Sequence, residues 1–175
     1  MIAGMPERQL LFEDWTNFYV ITSAAAATLL GLLFVVITFA SERGRKDTSS
    51  LRTYLTPPVI YFSSVLLMSA TLTIPTQTRF TAALCICVGG IVGLGYSASL
   101  LIRRGAGIVF LEHRDLFPYV VFPFAGYALV FAGGLLLARR PRMGLDLVAA
   151  GMLGLLAIAI RNSWAIAITI VSSKD

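Results

Sequence analysis

Arg161 is the residue whose chemistry most needs an account. It follows the apolar run 147–160 and precedes the apolar run 165–171, with Asn162, Ser163 and Trp164 as its polar or amphipathic company. If 144–171 forms one helix across a bilayer, the guanidinium lies within the membrane. There it is costly unless paired or hydrated, and such residues face a bundle interior or a water-filled cavity. Arg161, Asn162 and Trp164 are therefore the candidate pore or buried polar site, and an arginine that lines a pore favours anions. Asp146 cannot neutralise it on the same helix, because fifteen residues at ~1.5 Å each separate them by about 22 Å. The alternative is a long side chain near a helix end that snorkels to the interface.

Other reactive residue types are sparse. His113 is the only histidine and stands in the run Glu112-His113-Arg114-Asp115. Adjacent residues do not converge on one ion as metal ligands must, so this run reads as a solvated interfacial turn. Cys85 and Cys87 both fall inside an apolar run, and residues two apart are poorly placed to bridge; they read as small packing residues. No nucleophile–base spacing, phosphate-binding glycine loop or HExxH motif is present. The expectation is a non-enzymatic protein with no cofactor and no metal site. A lipid-active enzyme would have only the 112–115 run to work with.

The elements that must carry these residues are membrane helices. The 175 residues are 57% hydrophobic and 13% charged, with mean hydropathy +0.82, whereas a soluble domain is about 25% charged. Five apolar runs are each long enough to cross a hydrocarbon core of ~30 Å: 18–40, 53–74, 80–102, 117–138 and 144–171. They are continuous rather than alternating, which excludes barrel strands. The expected fold is an all-α, five-helix transmembrane bundle in one domain, with the lipid bilayer as its partner. The net charge of +5 is no nucleic-acid signal, because the basic residues cluster between apolar runs, where they set topology. The first run is too long for a cleavable signal and stays as a membrane helix. Arg43, Arg45, Lys46 and Arg52, then Arg103, Arg104 and Arg114, place the first and third connectors inside and the N-terminus outside. Arg139, Arg140 and Arg142 of the fourth connector oppose that assignment.

Small residues recur four apart: Ser23, Ala27 and Gly31; Cys85, Gly89, Gly93 and Ser97; Ala150 and Gly154. Each series reads as a smooth face for close helix approach, either within the bundle or, most readily at Gly89 and Gly93, between subunits. Pro123, about six residues into the fourth run, is expected to kink its helix or free a carbonyl. The hydroxyls of Ser63, Ser64, Ser69, Thr71 and Thr73 can satisfy themselves on carbonyls one turn back. Most aromatic anchors fall near run ends, with Tyr61, Tyr96 and Trp164 as internal candidates.

Asp14-Trp15 leading into Phe18-Tyr19-Val20, the stretch ending Gly31-Leu32-Leu33-Phe34-Val35, and the final Ile160-Arg161-Asn162-Ser163-Trp164 resemble the two ends of a group of small bacterial membrane proteins of uncharacterised function. The group pattern places an acid after the tryptophan, where this chain has Ala165. The resemblance implies five helices and a bacterial inner membrane, and it implies no activity. Two functions fit these readings: a homo-oligomeric channel with an anion-favouring arginine, or an accessory subunit of a larger membrane complex.

Overall fold

The computed structural model describes residues 7–42, 48–75, 77–105 and 117–172. It is a five-helix bundle, α1 (Glu7–Glu42), α2 (Thr48–Leu72), α3 (Arg79–Gly105), α4 (Phe122–Leu137) and α5 (Pro141–Ser172), with a π-turn at Phe117–Val121 leading into α4. α1, α2, α3 and α5 each contain a span long and apolar enough to cross a membrane, and α4 does so together with its π-turn, over Phe117–Leu137. The 112–115 run lies outside the described residues.

The ends of the helices follow local chemistry. Thr78 caps α3: its Oγ1 accepts from the Thr81 amide at 3.2 Å, and the Thr81 hydroxyl accepts from the Thr78 amide at 3.0 Å. The two threonines act as a capping box with a hydroxyl where a carboxylate usually stands. At the other hairpin, the amides of Arg139 and Arg140 both donate to the Leu136 carbonyl, at 3.0 and 2.7 Å, closing a tight turn. Pro141 then opens α5 at a position where a missing amide is harmless. Asp146 is five residues beyond that start, past the first turn where the helix dipole would favour it, and it is exposed.

Between the helices, packing depends on glycine. Gly126 and Gly133 on α4 meet Gly151 and Gly144 on α5. A Cβ on Gly151 would lie 2.7 Å from the Gly126 carbonyl oxygen, and one on Gly144 only 2.6 Å from the Leu137 nitrogen. On the other side of α4, a Cβ on Gly90 of α3 would fall 2.9 Å from Phe131 Cβ, and one on Gly134 2.8 Å from the Cys87 sulfur. Gly93 lies directly beneath the Tyr127 ring. Close backbone approach of this kind replaces the hydrophobic driving force that lipid cannot supply.

α2 runs through the middle of the molecule, against α1, α3 and α5. Its Tyr61, Phe62, Val65 and Met68 fill the core together with Tyr127, Met152 and Leu155. α1 lies at the edge, mainly on α2 and to a lesser extent on α5. Tyr19, Ala26 and Leu33, seven residues apart, form its buried side.

Candidate functional site

The polar groups of the interior gather where the π-turn meets α2 and α5. Proline is the cause. In a π-turn the carbonyl of Pro118 looks for an amide five residues on, which is Pro123 and has none. The carbonyl of Tyr119 loses its α-helical donor to the same proline. Both oxygens are bonded from other helices: Asn162 Nδ2 donates to the Pro118 oxygen at 3.1 Å, and the Tyr61 hydroxyl donates to the Tyr119 oxygen at 2.8 Å. Asn162 and Tyr61 are both 0% exposed. The proline-freed carbonyls are thus absorbed by the fold and face no water path.

A tyrosine cluster extends inward from there. The Tyr61 ring stands edge-on to Tyr96 (centroids 6.4 Å apart) and to Tyr127 (6.2 Å), and Tyr54 meets Tyr119 at 5.6 Å. The Tyr127 and Ser64 hydroxyls share a 2.8 Å hydrogen bond. Ser69 reaches Met152 Sδ at 3.7 Å. Thr71 and Thr73 instead bond carbonyls of their own helix, at 2.8 Å each. Among the described residues, the buried hydroxyls of Tyr19, Ser97 and Ser163 have no hydrogen-bond partner.

Arg161 points the other way. It is exposed on the outer side of α5, alongside Ala157, Ile160, Trp164, Ala165 and Ile168, and Trp164 is 68% exposed. The arginine donates to Asn162 Oδ1 at 3.3 Å. Depth follows from the glycine register. Gly151 faces Gly126, which is one residue from the centre of the span Phe117–Leu137. Arg161 is ten residues beyond Gly151, about 15 Å along the helix, which equals the half-thickness of a ~30 Å hydrocarbon core. Its side chain therefore faces outward, near the level at which the Phe117–Leu137 span begins, and not into the bundle interior.

The other expected site residues divide. Gly93 and Ser97 are buried and Gly89 is half-buried, with Met68 Sδ 3.2 Å from where its Cβ would be, so this face is occupied within the chain. Cys85 is exposed. Ser23 is half-buried, Ala27 is exposed, and a Cβ added to Gly31 or Gly154 would meet no other helix within 4 Å. Sequence reasoning missed Tyr61, Ser64 and Tyr127 as a network, and Pro118 as its focus. The Pro118–Pro123 spacing of five was the one signal available. Among the described residues, no group of three or more His, Cys, Asp or Glu side chains is placed to hold a metal.

The fold and these spans define a multi-pass, all-α membrane protein. No family model, curated protein or solved structure matches the chain.

Proposed function

We propose that the protein is a non-enzymatic subunit of a larger membrane assembly, in the bacterial inner membrane, and that it acts through its outer faces. The observation that carries this reading is the closed interior. The Tyr127 ring covers Gly93, and α4 and α5 meet backbone to backbone at Gly133 and Gly144. Tyr61, Phe62, Met152 and Leu155 occupy the volume that a path through one chain would need. The groups offered to a partner are outside: Arg161, Trp164, Ala27, Gly31 and Gly154.

A second reading rests on the outward arginine. In a homo-oligomeric channel, Arg161 would line an anion-favouring path between copies. For either reading we assign the N-terminus to the outside. The end of the bundle where α1 gives way to α2, and α3 to α4, carries the larger share of basic residues by sequence. The opposite end carries the smaller share, Arg8, Arg79, Arg139, Arg140 and Arg142.

Native mass spectrometry from nanodiscs separates the readings. A co-purifying foreign chain supports the accessory subunit. A closed homo-oligomer whose bilayer currents change on Arg161→Ala supports the channel. A protein that stays monomeric and alone through gentle purification counts against both.

A further inference from the structure

We propose that Arg161 is the headgroup-binding residue of an anionic phospholipid site, and that Asn162 couples this site to the π-turn of α4. Three observations converge on it. The guanidinium stands near the level of Pro118, where the Phe117–Leu137 span begins, on a face that opens sideways between Ile160, Trp164 and Ile168, within reach of a lipid headgroup. It has five N–H donors in a planar fork suited to phosphate, and it makes one hydrogen bond to a described residue, Asn162. The only acid in its span, Asp146, is about 22 Å away. A phosphate charge complements it, and the exposed Trp164 ring one turn on is of the type that settles at headgroup level.

The coupling is in the carboxamide of Asn162. Its oxygen accepts from the exposed arginine, and its amide nitrogen donates to the buried Pro118 carbonyl. Arg161 thus fixes which way the amide points, and the amide supplies the hydrogen bond that the π-turn cannot make within its own helix. A phosphate that holds the guanidinium in place firms up this relay. An arginine that merely snorkels would touch any headgroup and leave the π-turn indifferent to lipid type.

The test compares full-length protein in nanodiscs of phosphatidylcholine with and without phosphatidylglycerol. By native mass spectrometry, wild type should retain phosphatidylglycerol preferentially. Arg161→Gln should lose that preference roughly fivefold, the weight of one basic residue at an anionic surface. Equal retention by Arg161→Gln overturns the site. By hydrogen exchange on wild type alone, phosphatidylglycerol should slow exchange of the amides at Phe117–Val121, and exchange independent of lipid overturns the coupling. Asn162→Ala should keep the lipid preference while losing that protection. Inorganic phosphate added to the phosphatidylcholine sample should have no effect; if it reproduces the protection, the site takes a small soluble anion and the lipid assignment fails.

Discussion

The glycines that α4 and α5 turn to each other are seven residues apart, Gly126 and Gly133 facing Gly151 and Gly144, and each is closed over by the opposite helix. The small residues of α1 and of the outer side of α5 are four apart, and there a Cβ added to Gly31 or Gly154 would meet no other helix within 4 Å. The helical period explains the contrast. At 3.6 residues per turn, a step of seven returns to within ~20° of the same direction, whereas each step of four overshoots by about 40°. A series of four therefore rotates off its face. On α3 it passes from exposed Cys85, through half-buried Gly89, to buried Gly93 and Ser97. On α1 the buried Tyr19, Ala26 and Leu33 keep the seven-residue step, while Ser23, Ala27 and Gly31 drift outward. A four-residue repeat marks smoothness; a seven-residue repeat also marks a constant neighbour.

One methyl group added to the seam should have the largest effect. Gly144→Ala would push a Cβ against the Leu137 backbone, which can yield only if α4 and α5 separate. A loss of about 2–3 kcal/mol is expected from overpacking, read by detergent-titrated unfolding; a variant that unfolds with wild type would remove the seam from the account. Gly93→Ala should cost somewhat less, about 1–3 kcal/mol. There the Tyr127 ring has to turn, and the Ser64 hydrogen bond should be lost with it. Tyr61→Phe leaves the Tyr119 carbonyl without that donor and should cost about 1–2 kcal/mol, without shifting the glycine contacts. Unchanged stability would mean that the proline-freed carbonyl tolerates isolation. The smallest effect belongs to the outer faces. Gly31→Ala and Gly154→Ala should be neutral or stabilise by up to ~1 kcal/mol through helix propensity. If either variant dissociates a native assembly while leaving the single chain stable, that face is an interface, and the comparison becomes one between inner and outer seams.

The spans were legible because a membrane helix needs a continuous apolar run, and nothing else in the chain supplies one. The runs 80–102 and 117–138 differ by only a few residues from Arg79–Gly105 and from the π-turn with α4. The lateral arrangement was not legible, because both faces of a membrane helix are apolar and hydrophobic periodicity does not separate core from lipid. Arg161 illustrates the limit. Its distance from Asp146 is set by one helix and could be read directly. Its depth depends on the register between α4 and α5, and its partner's bond to Pro118 joins residues 44 apart in sequence. Pro123 was readable as a source of free carbonyls, but the donors that take them, Tyr61 and Asn162, come from helices whose neighbours the sequence does not specify.

The chain has two tryptophans, and the alternating helices send them to opposite ends. Trp15 opens the span of α1, packed against Phe18 and Tyr19 with centroids 5.6 and 6.0 Å away. Trp164 closes the span of α5 and is mostly uncovered. Each end thus holds one tryptophan, which can be excited selectively over the tyrosines. In sealed vesicles, Trp15→Phe leaves an emitter at one surface and Trp164→Phe leaves an emitter at the other. A membrane-impermeant quencher added outside then darkens one variant and spares its counterpart, which makes the protein its own optical gauge of sidedness.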